Sequence, residues 1–185
     1  NRIMLSSASS KTALALASLL SKNKDEHGKT IMGITSDKNK AFVEASGLYE
    51  EVYTYDEIAQ LPKDSTVIAD FAGNKKLLRA INNELGDHLK FISAIGLTDW
   101  EGNSDLDSVP KATFFFAPTY AETKLKQWGP AEGVKMIQSA MMEFIKLISQ
   151  HIQIKNFEGF KPMQALYTAM VDGTVDPKKG NIIKP

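Results

Sequence analysis

At 185 residues, with 22 basic and 22 acidic side chains, the chain suits one domain with a real core and has no net field to draw it to nucleic acid or a membrane surface. It has no cysteine, which excludes disulfides and thiolate metal ligands and fits a reducing compartment. No apolar run approaches the roughly 18 residues of a membrane span, so a soluble, cytoplasmic protein with a small-molecule partner is expected.

In chain order, Arg2 to Ser6 is a short apolar strand that runs into the hydroxyl-rich turn Ser7-Ala8-Ser9-Ser10. A helix follows whose apolar face is Leu14, Ala17 and Leu19-Leu20, ending near Asp25-Glu26-His27-Gly28. Thr30 to Thr35 is a second buried strand, after which Asp37 is expected to cap a helix carrying Ala41, Phe42 and Ala45 and closed by Gly47. Val52 to Tyr55 gives a third strand, Asp56 to Leu61 a turn, and Thr66 to Asp70 a fourth strand without alternation, hence buried on both faces. Leu77-Leu78, Ile81 and Leu85 mark the next helix, and Leu89 to Gly96 the fifth strand.

Leu97 to Lys111 has the polar composition of a surface loop, and Ala112 to Phe116 forms a sixth strand stopped by Pro118. From Gly129-Pro130 onward, Val134, Ile137, Met141, Phe144, Ile148 and Ile152 fall three and four apart, which predicts one long amphipathic helix with a core-facing stripe. Pro162 to Val171 reads as a last helix, stopped at Asp172-Gly173, and Asn181-Ile182-Ile183 as a closing strand. About six strands alternating with helices specify an α/β fold, a doubly wound, mostly parallel, Rossmann-like sheet with helices on both faces. We expect one such domain over residues 1–185. Because the chain starts at Asn1 with a strand almost at once, we also expect an N-terminal part of a longer protein to precede it.

In such a sheet a nucleotide belongs at the carboxyl end of the first strand. The usual dinucleotide turn needs glycines, and here Ser7, Ser10 and Ala13 stand at a three-residue spacing instead. Serine hydroxyls together with the first helix amides can hold phosphate oxygens, or Ser9 or Ser10 can simply cap the helix. A rival reading takes Ser10-Lys11-Thr12 as the end of a phosphate loop and Val67 to Asp70 as its acidic strand, but Leu5 and Ser10 then stand where both framing glycines belong. Thr35-Ser36 with Lys38 and Lys40 suits the 2′-phosphate of NADP, against which nearby Asp37 speaks unless it caps the helix.

Ile3 to Thr12, Gly33-Ile34-Thr35-Ser36 with Lys40-Ala41, Gly47, Val52 to Tyr55 and Asp70-Phe71-Ala72-Gly73 together resemble the cofactor domain of the medium-chain dehydrogenase/reductase superfamily, quinone-oxidoreductase branch. Ser9 to Thr12, Ile34-Thr35-Ser36, Gly96 to Trp100, Phe114 to Pro118, Trp128-Gly129-Pro130 and Asp172-Gly173 resemble more closely an uncharacterised bacterial family related to it. The resemblance implies that Ser7, Ala8, Ser9, Ser10, Lys11 and Thr12 line a pyrophosphate. It further implies Thr35, Ser36 and Lys40 at the 2′-phosphate, Tyr55 at the adenosine, Ala72 and Gly73 along the ribose, and Gly96 and Thr98 facing the nicotinamide. The implied activity is NADP(H)-dependent, zinc-independent hydride transfer to a carbonyl, quinone or enone. A substrate domain would then precede this chain, and no catalytic residue is assigned.

The alternative function is a binding or assembly module that has lost its glycines; a degenerate phosphotransferase comes third. His27, His88 and His151 share no metal-ligand spacing, and no metal site is assigned. Asp70 can contact a ligand or cap the next helix. The Phe114 to Phe116 run reads most simply as a core strand; the resemblance implies instead a sheet edge at which two copies pair as a homodimer.

Overall fold

The computed structural model describes residues 1–96 and 109–184. It divides into two compact units, Asn1–Met141 and Met142–Pro185.

In the first unit, β1 (Arg2–Leu5) leads through a tight turn to α1 (Lys11–Lys22) and the single turn α2 (Lys24–His27). Next come β2 (Thr30–Thr35), α3 (Asp37–Ala45), β3 (Glu51–Thr54), a 3-10 turn over Tyr55–Gln60 and β4 (Thr66–Asp70). Then follow α4 (Lys75–Leu85), β5 (Leu89–Ala94), β6 (Ala112–Phe114), α5 (Ala117–Trp128) and α6 (Pro130–Ile148), whose last turns lie in the second unit. All six strands are parallel, in the order β3-β2-β1-β4-β5-β6.

This order reverses between β1 and β4. The crossovers β1–β2–β3 run one way and β4–β5–β6 the other, so right-handed connections put their helices on opposite faces. Alternate strand residues sort accordingly. Met4, Met32, Ile34, Ile68 and Ile92 pack with Leu77, Leu78, Ile81 and Leu85 of α4 on one face. Leu5 and Ile31 point to the other, where α1 and α3 contribute buried Ala13, Leu14, Ala17, Phe42 and Val43. Burial on both faces is what the unalternated apolar composition of β1, β2 and β4 demands.

Four local expectations are corrected. Asp37 does not cap α3; Ser36 is the capping residue and Asp37 opens the helix, where a carboxylate meets the positive end of the dipole. Pro118 begins a helix rather than only ending a strand, because proline's fixed φ and missing amide cost nothing in a first turn. The long helix stops at Ile148, so Ile152 leaves it and leads into β7 (Gln153–Glu158). Of that stripe Val134, Ile137 and Met141 are exposed and, within the helix, Ile148 alone is buried, so it is not a core stripe in this chain.

The second unit pairs β7 in parallel with β8 (Lys179–Lys184), joined by α7 (Phe160–Val171). The expected closing strand therefore exists but forms this separate two-stranded sheet instead of extending the six-stranded one. None of the described helices is long and apolar enough to cross a membrane.

Candidate functional site

All six strands point the same way, and their order reverses between β1 and β4, where sheets of this kind open a crevice at the carboxyl ends. Ser7, the second residue after β1, has φ 47°, the left-handed region that favours glycine. The turn closes by a 2.8 Å bond from the Ser10 amide to the Ser7 carbonyl. Ser10 then caps α1, its Oγ accepting from the Ala13 amide at 3.2 Å. Ala13 is completely buried, as a residue at the close contact of helix with sheet must be. Ser7, Ser10 and Ala13 thus do three different jobs in this turn: a left-handed backbone, a helix cap and close packing of helix on sheet.

Ala8 is also completely buried. Its amide donates to the Ile34 carbonyl at 3.1 Å and its carbonyl accepts from Tyr49 Oη at 3.0 Å. Burial pushes the Tyr49 phenol well above its ordinary pKa, which keeps it a neutral donor. A Cβ on Gly33 would stand 3.0 Å from both Ala8 Cβ and a Tyr49 ring carbon, so a side chain there would have to push this clamp apart by a few tenths of an ångström. Ala8 therefore shapes the turn from inside, while Ser7, Ser9 and Ser10 are half-buried and Lys11 and Thr12 are exposed. Ser9 Oγ accepts from Asn39 Nδ2 at 3.1 Å and lies 3.5 Å from the buried Thr35 hydroxyl, tying the turn to the start of α3.

Across the crevice, Asp70 ends β4 completely buried. Its carboxylate accepts from the Ser6 hydroxyl, from the Gly73 amide at 2.9 Å and from the Ala72 amide at 3.3 Å. Ser6 Oγ in turn accepts from the Phe71 amide at 2.9 Å. Burial raises the Asp70 pKa above its ordinary value, and the bonds from Ser6, Gly73 and Ala72 pull it back down. Asp70 does not cap α4; Asn74 does, accepting from the Leu77 amide. The Ile95 and Gly96 amides both donate to the Asp70 carbonyl at 2.9 Å. A Cβ on Gly96 would fall 2.1 Å from the Phe71 carbonyl oxygen, which makes glycine obligatory there. Thr98 lies outside the described residues.

Farther along the strand ends, Lys40 on α3 contacts both carboxylate oxygens of Glu57, at 2.8 and 3.0 Å. Glu57 Oε2 also accepts from the Thr54 amide at 2.7 Å. Ser36 stands half-buried at the start of α3, and Tyr55 packs its ring against the α4-side core. The structure thus brings Ser7 to Thr12, Thr35, Ser36 and Lys40 together on the β1–β2 side, and Ala72, Gly73 and Gly96 on the β4–β5 side.

Ser6, Asn39, Tyr49 and Glu57 complete this end of the sheet and were not singled out from the sequence. Thr54-x-x-Glu57 is a legible capping pattern that would have drawn attention to Glu57; Ser6 and Tyr49 carry no local signal. The phosphate-loop alternative places its first framing glycine at Leu5, which is a completely buried strand residue. What remains of the loop is one tight turn, too short to wrap a phosphate.

A parallel sheet of this strand order, with a helix opening at the reversal, is a Rossmann-like α/β fold. The chain belongs to the family described as protein of unknown function (DUF2855), whose model matches residues 1–176. A search of curated proteins gave no match.

Proposed function

We propose that the six-stranded unit binds a dinucleotide, NADP(H), across the carboxyl ends of β1 and β4. In this reading it is the cofactor domain of a zinc-independent reductase of the quinone-oxidoreductase type in the medium-chain dehydrogenase/reductase superfamily, passing hydride to a carbonyl, quinone or enone. The observation that carries the reading is the reversal of strand order at β1 and β4, with a left-handed, hydroxyl-rich turn and a helix N-terminus at that crevice.

The residues fit a pyrophosphate. Ser7 holds the turn's backbone as a glycine would, Ala8 and Ala13 keep bulk out of it, and the Ser9 and Ser10 hydroxyls and the first amides of α1 are the donors. Ala72 and Gly73, fixed by Asp70, bring main chain alongside the ribose, and Gly96 borders the nicotinamide. Tyr55 flanks the adenosine, and Ser36 and Lys40 take the 2′-phosphate once Lys40 turns away from Glu57. The nicotinamide supplies the hydride, and the chain's part is to bind it, orient it and exclude water.

Titration of the purified chain with NADPH, NADH and ATP, followed by nucleotide fluorescence and heat, tests this. Saturable NADPH binding is expected, and Ser9→Asp weakens it more than about tenfold by setting a carboxylate against the pyrophosphate. Silence with all three nucleotides overturns the reading in favour of a non-catalytic binding or assembly module. Magnesium-dependent ATP binding overturns it in favour of phosphoryl transfer.

A further inference from the structure

The ion pair beyond the phosphate turn has a consequence of its own. Thr35 at the end of β2 is in register with Thr54 at the end of β3, so Lys40 and Glu57 extend from neighbouring strand ends. Asn39, next to Lys40 in the chain, reaches Ser9 in the turn, which puts the pair on the nucleotide side of the sheet. Glu57 is held there by its bond from the Thr54 amide, so its carboxylate is anchored independently of Lys40. Lys40 also lies within the field of Glu44 and Asp37, so one ammonium faces three carboxylates.

We infer that Glu57 is the specificity-determining residue of this site, setting the balance between dinucleotides with and without a 2′-phosphate by competing with that phosphate for Lys40. The inference rests on the dinucleotide reading above. A 2′-phosphate reaching Lys40 must displace an anchored carboxylate and then remain beside it. Like charges at this range oppose binding, whereas a ribose 2′-hydroxyl meets no such penalty and can donate to a carboxylate. The bond to Glu57 raises the Lys40 pKa, and the bonds from Lys40 and then from the Thr54 amide lower that of Glu57. Both groups therefore stay charged throughout the neutral range, and the competition persists there. Lys40 alone does not make the site selective for the phosphorylated cofactor; its effective charge is what Glu57 leaves of it.

The test is the ratio of NADPH to NADH dissociation constants, measured calorimetrically on the whole chain. Glu57→Gln keeps an acceptor for the Thr54 amide and removes the charge. It should move the ratio toward NADPH by about fivefold, the size of one part-exposed charge interaction. Lys40→Gln leaves Glu57 unopposed and should move the ratio toward NADH, and both shifts should shrink as salt is raised. If both nucleotides bind and neither variant moves the ratio, Glu57 does not set the preference, and this inference falls while the dinucleotide reading stands. If neither nucleotide binds the wild type, the dinucleotide reading fails and this inference with it.

Discussion

At the amino end of the six-stranded sheet, Arg2 of β1 is gripped by Glu51 of β3 at 2.5 Å and by Asp64 at 2.8 Å. At the carboxyl end, between β1 and β4, stands a buried carboxylate, Asp70, satisfied by a hydroxyl and two amides, with no cation on it among the described residues. The amino end neutralises charge with charge at the half-exposed rim, which closes the sheet there. Between β1 and β4 the carboxyl end instead uses neutral donors to hold its loops, its own ion pair, Lys40 with Glu57, standing farther out beside β3. Parallel strands give the two ends different tasks: one receives the returning connections, and the other delivers the turns that open the helices.

Asp70 is the place to break this contrast most severely. Asp70→Ala strands the Ser6 hydroxyl and the Ala72 and Gly73 amides, and should cost about 2–4 kcal/mol in chemical denaturation. Asp70→Asn separates charge from hydrogen bonding. Because burial raises the folded pKa of Asp70 above its ordinary 3.8, the folded state holds that proton more tightly than the unfolded chain. The stabilisation from this proton is fully present below the ordinary value and is lost as pH rises through the folded one. Wild type should therefore lose stability relative to Asp70→Asn across that window, read from paired denaturation curves.

Arg2→Gln should cost less, about 1 kcal/mol or below, since both partners are partly exposed. It should leave nucleotide affinity unchanged, and a change in affinity would mean that the two ends are not separable. The smallest effect is expected from Ser7→Gly, which relieves a left-handed non-glycine residue and should raise stability by about 0.5 kcal/mol or leave it level. A clear loss would show that the Ser7 side chain has a structural role that its backbone geometry does not reveal.

Much of the fold is legible from local chemistry. The apolar runs at Ile3 to Leu5, Ile31 to Ile34 and Val67 to Ala69, each followed by small or capping residues, specify buried parallel strands opening helices. The first unit bears this out strand by strand. The last third of the chain is less legible. Gln153 to Glu158 carries too much charge to read as a strand, because β7 gains its pairing from β8, more than twenty residues later, and not from its own pattern. Pro118 reads as a strand stop, but proline suits a helix start equally well, and it opens α5.

The site divides in the same way. Sequence by itself determined where the serine-rich turn after β1 stands, that Ser7, Ser10 and Ala13 fall in it at a three-residue spacing, and that Lys40 lies soon after β2, since all of these follow from order along one βαβ stretch. Tertiary structure alone decided that Ser6 meets Asp70 across 64 positions, that Tyr49 clamps Ala8, and that Lys40 is already held by Glu57. Local propensity acts over a few residues of backbone, whereas a side chain's partner depends on which strands the crossovers bring side by side.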